Sequence, residues 1–235
     1  MNADTYVISL SGSLICPSEE NISFLKEFRK LIISHAGKGN VNKGKMFIII
    51  CGGGQTNRQY NEAFRSIIGA SEVSDESLDL LGIAATKMNG EFVRLMFGEY
   101  AAGKLLEDPN EKLDTDKRII IGTGWKPGCS SDKDAVLAAK TYGADTVINL
   151  TNVDHVYTKD PRKYEDAERI ESISWKEFRS IVGETWSPKL DSPFDPIAAN
   201  LAEQEGIKAI IARGKNIDNL KRIIEGKEFV GSVIS

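Results

Sequence analysis

Short apolar runs alternate with stretches of helical periodicity along most of the chain. Thr5–Leu10, Met46–Cys51, Arg118–Gly122, Thr146–Leu150, Lys208–Arg213 and Phe229–Ile234 are brief, rich in Ile and Val, and punctuated by glycine. That pattern predicts buried strands. Between the first two runs, Ile22, Leu25, Phe28 and Ile32 recur at the spacing of one helix face. Ser18 predicts the cap of that helix, Glu19 and Glu20 suit its first turn, and Gly37 marks its stop. Tyr60, Ala63, Phe64, Ile67 and Ile68 make a second stripe, and Leu78, Leu81, Ala85, Met88, Phe92 and Leu95 a longer one. Ser174 with Glu177 predicts a capping box ahead of Phe178 and Ile181.

This β-α-β-α rhythm predicts an α/β fold, a mostly parallel central sheet covered by helices on both faces in three α/β/α layers. Right-handed crossovers then bring the C-terminal ends of the strands together along one edge, where such sheets bind ligands. Gly98 to Lys117 and Tyr157 to Arg169 interrupt the rhythm and read as surface connections. A change of character near Leu150 divides one continuous domain into lobes over 1–150 and 151–235.

Composition narrows the field. Apolar residues make up 41% and charged residues 27% of the 235, ordinary for a globular protein. The net charge of −4 argues against a general nucleic-acid binder. It leaves nucleotides open, because backbone amides and a few placed cations can hold a phosphate. The three cysteines, Cys16, Cys51 and Cys129, form no CxxC pair and read as reduced thiols. With only His35 and His155, a histidine metal site is not expected. The first residues lack the basic start and long apolar core of a signal peptide, and no apolar run is long enough to span a bilayer, so a cytoplasmic protein is expected.

The chemistry sits in three glycine turns, each following a strand: Ser11-Gly12-Ser13, Gly52-Gly53-Gly54, and Gly122-Thr123-Gly124 running on through Lys126 and Gly128 to Ser130, Ser131 and Asp132. Phosphate needs several donors converging on a small volume. Glycine lets the backbone approach and turn successive N–H groups inward, and a following helix adds free N–H groups with the positive end of its dipole. One such turn is explained by steric need alone. Three along one sheet edge fit a donor and an acceptor phosphate. None matches GxxxxGK[ST] or GxGxxG, which sets aside P-loop and dinucleotide-binding proteins.

In order, VISLSGSLI, CGGGQTNR, DLLGIAATKMN, GTGWKPGCSSDKDA, TNVDHVYTKDP and FDPIAA resemble the amino-acid kinase superfamily, and within it the uridylate (UMP) kinases of the archaeal and bacterial type. The resemblance runs from Tyr6 to the Gly231-Ser232 ending. It implies transfer of the γ-phosphoryl group of ATP to UMP with Mg²⁺, in pyrimidine nucleotide biosynthesis, by a homohexamer. Carried over by position, Gly53, Gly54 and Arg58 meet the UMP phosphate, Asp79 holds the ribose hydroxyls, and Thr123, Ser130 and Ser131 complete that pocket. Ser11 and Gly12 approach the ATP phosphates, Thr151, Asn152, Tyr157 and Asp160 line the ATP site, and Asp195 orders the reacting centre.

Residue chemistry bears on these roles separately. Arg58 follows Gly54 by four residues in the next helix, and an arginine fork meets phosphate in a bidentate way that lysine cannot; an exposed helix arginine is the blander account. Asp79 suits two sugar hydroxyls or an N-terminal helix charge. Ser130 and Ser131 suit phosphate or a helix cap. Tyr157 suits a nucleotide or half-buried packing, and Trp125 either stacks on uracil or anchors its loop.

Departures from the resemblance concern the cation. Ser9 stands where many members of the superfamily carry lysine, so Lys126 becomes the candidate for charge neutralisation beside Mg²⁺, against a solvated loop charge. His155 replaces a usual glycine, either narrowing the adenine pocket or lying on a surface turn. Two other functions remain: a relative phosphorylating a carboxylate such as acetylglutamate, or carbamate, and a non-catalytic protein that binds nucleotides or oxyanions for storage or regulation. Arg58 with Asp79 favours the UMP reading over the carboxylate one, and Ser9 keeps the non-catalytic one alive.

Overall fold

The computed structural model describes residues 5–37, 44–161, 163–183 and 192–235. Strand β1 (Thr5–Leu10) leads through the short helix α1 (Gly12–Ile15) to α2 (Glu19–Ala36) and β2 (Met46–Cys51). Then come α3 (Gly54–Ile68), α4 (Asp75–Phe97), β3 (Ile119–Gly122), α5 (Ser131–Tyr142) and β4 (Thr146–Thr151). The small strands β5 (Val156–Tyr157), β6 (Arg169–Ile170) and β7 (Ser172–Ile173) precede α6 (Trp175–Val182) and α7 (Pro196–Gln204). Finally β8 (Lys208–Arg213), α8 (Ile217–Ile224) and β9 (Ser232–Ile234) complete the described chain.

Seven of these strands form one sheet in the order β3-β2-β1-β4-β8-β9-β7. The five strands from β3 to β8 pair in parallel, and β9 turns antiparallel against β8. The mostly parallel sheet expected from the rhythm is therefore present. Alternation along each strand divides its residues between two cores. Ile8, Leu10, Ile49, Ile121 and Leu150 face α2, α4 and α8. Val7, Ile48, Ile120, Val147 and Ile211 face α5, α6 and α7. The caps follow the sequence: the Ser18 hydroxyl accepts from Asn21 N–H, Gly37 ends α2 at a φ of 80°, and Ser174 with Glu177 forms the capping box.

Five expectations change. Helix α3 has no buried residue, with Tyr60 62% and Ile67 80% exposed. It leans on α1 and α4 and not on the sheet, so its apolar stripe has no layer beneath it. The outer part of the α4 stripe, Met88, Phe92 and Leu95, is exposed with it, while Leu78, Ala85, Val93 and Phe97 are buried. The Gly98–Lys117 segment is no simple surface connection. Ala102 N–H donates to Ile119 O and Leu106 N–H to Ile121 O, so it borders β3 as an irregular edge. The Tyr157–Arg169 segment is a hairpin, its two ends paired as β5 and β6. Strand β9 is shorter than Phe229–Ile234, because the Asn219 side-chain amide takes both the N–H and the carbonyl of Val230.

Candidate active site

The C-terminal ends of β1, β2, β3, β4 and β8 meet on one edge, and the three glycine turns sit there side by side. The first two are in backbone contact. A Cβ on Gly12 would stand 2.3 Å from the Gly54 nitrogen and 2.4 Å from the Gly52 oxygen. One on Gly54, whose φ is +60°, would stand 2.2 Å from the Gly12 carbonyl carbon. Only glycine permits this approach, and it fixes one turn against the other.

Helix α4 braces the second and third turns. Asn89 Nδ2–H donates to Gly52 O at 2.8 Å, and Gly124 N–H donates to Thr86 Oγ1 at 2.9 Å. Both side chains are buried. The sequence reading passed over them, although two polar residues three apart on an otherwise apolar helix face were the available signal.

A cavity of about 480 Å³ opens between α3, α4 and the third turn. Gly53, Arg58, Asp79, Ser130 and Ser131 all line it. Arg58 is exposed there, one turn into α3. Asp79 Oδ2 accepts from the Gly128 N–H at 2.7 Å, tying α4, one turn in, to the third glycine turn. Ser130 caps α5 by accepting from Lys133 N–H, which leaves Ser131 as the uncommitted hydroxyl of the pair. Thr123 lies behind this cavity and not on its wall. It is 1% exposed, its methyl fills the space a Cβ on Gly90 would need, and its hydroxyl has no partner.

On the other side of β1, a cavity of about 450 Å³ is walled by Thr151, Asn152, Tyr157 and Asp160. Tyr157 O–H donates to Asp154 Oδ1 at 2.8 Å. Burial works to raise the Asp154 pKa, but that bond, its own backbone N–H and the nearby Arg169 and His155 hold it below its ordinary value. His155 lines the same cavity and is 6% exposed, so it is not the surface histidine of a tolerant turn. Its Nδ1 lies 3.6 Å from Asp154 Oδ2 and has no hydrogen-bond partner.

Between the cavities, Asp132 joins four elements. Its Oδ1 accepts from the Ser9 hydroxyl at 3.0 Å and from Asn149 Nδ2–H at 3.3 Å, and its Oδ2 accepts from Asp195 N–H at 3.0 Å. Burial and then the Asp195 charge push its pKa up to about 7, against the pull of the Asp195 N–H and Ser9 hydroxyl bonds. Asp195 caps α7, its Oδ1 accepting from Ile197 N–H at 2.6 Å and Ala198 N–H at 3.3 Å. Asp132 and Asn149 were not singled out in the sequence, because their convergence depends on strand register. Ser11 N–H donates to Leu150 O, and its hydroxyl caps α1. Lys126 lines neither cavity; its Nζ stacks 3.7 Å from the centre of the Trp125 ring. The Trp125 ring thus anchors a cation, while the Trp125 backbone N–H donates to Asp134 Oδ2.

Known proteins resemble this chain over nearly its whole length. The amino acid kinase family matches residues 4–213. The uridylate kinase of Sulfurisphaera tokodaii is 33% identical over 97% of each chain. That of Thermoplasma volcanium is 33% identical over 97% of this chain and 96% of its own. The crystal structure of uridylate kinase from Archaeoglobus fulgidus superposes with a TM-score of 0.80 at 29% identity, covering 99% of this chain and 100% of that one. Match, relatives and sheet edge agree in placing the chain in the amino acid kinase family, in its uridylate kinase branch.

Proposed function

We propose that the protein is a UMP kinase, transferring the γ-phosphoryl group of ATP to UMP by direct in-line displacement. A UMP phosphate oxygen forms the new bond to the γ-phosphorus, the bond to the bridging oxygen of ADP breaks, and UDP and ADP leave. The observation that carries this is the pair of cavities on one sheet edge, divided by the Gly12–Gly54 contact, with Arg58 and Asp79 together in one of them. An acceptor bearing both a phosphate and a ribose uses that pair. A simple carboxylate acceptor does not.

In this scheme residues 1–150 form the acceptor lobe and 151–235 the donor lobe. Gly53, Gly54, Arg58, Ser130 and Ser131 hold the UMP phosphate, Asp79 the ribose, and Thr123 supports the wall behind. Thr151, Asn152, Tyr157 and Asp160 receive ATP, whose phosphates lie toward Ser11 and Gly12. Asp195, held by Asp132, orders the centre, and Lys126 reaches it on leaving the Trp125 ring.

Among the described residues no group of three or more His, Cys, Asp or Glu converges on a metal. Mg²⁺ in this scheme comes in on the nucleotide, since it keeps several waters and takes one or two carboxylates in such sites. Asp195 Oδ2 and Asp132 are the oxygens at hand, and a bound Mg²⁺ supplies neutralising charge to the phosphates.

No described helix is long and apolar enough to cross a membrane; the cytoplasm is the compartment we assign to the enzyme. The exposed Ile67, Phe92 and Leu95 offer surface for the hexamer the uridylate kinase resemblance implies, which light scattering tests. The deciding experiment measures ADP release with ATP and Mg²⁺ against UMP, CMP, acetylglutamate and aspartate. UMP-dependent release is expected. Release driven only by a carboxylate, or none at all, overturns the proposal.

A further inference from the structure

Phosphoryl transfer needs cations around the moving charge, and the strand ends supply few. Ser9 and Asn149, neighbours in register on β1 and β4, are both neutral and both bonded to Asp132. Of the other candidates, Lys126 stacks on Trp125, Lys159 pairs with Asp166 at 2.6 Å, and Lys215 pairs with Glu20 at 2.6 Å.

Arg213 is different. It is the last residue of β8, in register with Thr151 on β4. It lies two residues beyond Ile211, so its side chain leaves the sheet on the α7 side, where Asp195 lies. The next residue, Gly214, donates its N–H to Thr151 O at 2.8 Å. Gly214 is pressed so closely on α1 that a Cβ there would stand 2.2 Å from Leu14 Cδ1. The Arg213-Gly214 turn is thereby wedged between Thr151 and the helix opened by Ser11 and Gly12. Arg213 is exposed, lines the 450 Å³ cavity, and has no ion pair among the described residues.

We infer that Arg213 binds the phosphates of the nucleotide donor and supplies the positive charge that Ser9 and Asn149 lack. This rests on the assignment of that cavity to the donor. A guanidinium meets phosphate oxygens through a planar fork of N–H groups and stays charged throughout the accessible pH range. The rigid backbone beneath it limits the freedom lost on binding.

The test uses Arg213→Gln and Arg213→Lys in the full chain, with dissociation constants for ATP and adenosine and steady-state constants for ATP and UMP. Arg213→Gln should weaken ATP about tenfold or more and lower kcat, leaving adenosine affinity and the KM for UMP unchanged. Arg213→Lys should recover part of the loss. Unchanged ATP affinity, or equal losses for ATP and adenosine, overturns the inference. Photolabelling of wild-type protein with 8-azido-ATP separates the two assignments. Label on the Tyr157 segment with no effect of Arg213→Gln removes Arg213 alone; label elsewhere removes the donor cavity and Arg213 with it.

Discussion

The carboxylate of Asp79 accepts a 2.7 Å hydrogen bond from the backbone N–H of Gly128, joining α4, one turn from its start, to the third glycine turn beside the proposed acceptor cavity. A ribose bound at Asp79 competes with Gly128 for the same oxygen or uses the other. Wild-type protein should therefore prefer UMP to its 2′-deoxy analogue, and Asp79→Ala should erase that preference while lowering kcat/KM for UMP about tenfold or more. Steady-state kinetics with both acceptors measures it. A preference surviving in Asp79→Ala removes Asp79 from the ribose.

Arg58 carries the phosphate side of the same cavity. Losing a charge-assisted hydrogen bond costs about 1.5–3 kcal/mol, so Arg58→Ala should reduce kcat/KM for UMP by about ten- to a hundredfold, mainly through KM. The KM for ATP should hold. Arg58 is exposed, so melting temperature should stay near wild type.

The Gly12–Gly54 contact couples the two cavities mechanically. Gly12→Ala forces a methyl into the backbone of the second turn. The expected cost is about 1–3 kcal/mol of stability. Kinetic constants for both ATP and UMP should worsen together, because either turn can move only by displacing the other. A variant that melts normally and loses only one substrate would contradict this coupling.

Asp134 makes stability depend on pH. It is fully buried, its Oδ1 has no partner, and burial pushes its pKa from 3.8 up to about 7, although Trp125 N–H and Lys133 act the other way. Between those values the folded protein binds more protons than the unfolded chain. The contribution of Asp134 to stability then falls as pH rises from about 4 to about 7 and levels off above. Asp132 adds to the same slope for a similar reason. Asp134→Asn should show a shallower fall and a higher melting temperature at pH 8, by about 2–4 °C for each kcal/mol regained. Thermal melts across that range check it, and identical slopes refute it.

The sequence alone determined the longer strands of the sheet, the limits of α2 and the start of α6, the glycine turns and the fold class. These depend on local physics: alternation on a pleated sheet, capping hydroxyls, and backbone angles that favour glycine. The Ser18 and Ser174 caps were legible for that reason. Arg58 and Asp79 could be named as partners from their motifs, and the fold brings them to one cavity.

Tertiary structure decided what depends on distant segments meeting. The α3 stripe reads as a core face, yet no layer covers Tyr60 or Ile67. Asp132 becomes a junction only because parallel register sets Ser9 beside Asn149 and α7 begins above them. Lys126 looks available in a loop but lies on Trp125, while Arg213 looks like a strand end and opens into the donor-side cavity. A side chain's chemistry is local, but its burial, charge environment and partners come from residues far along the chain. Those relations exist only once the sheet has assembled.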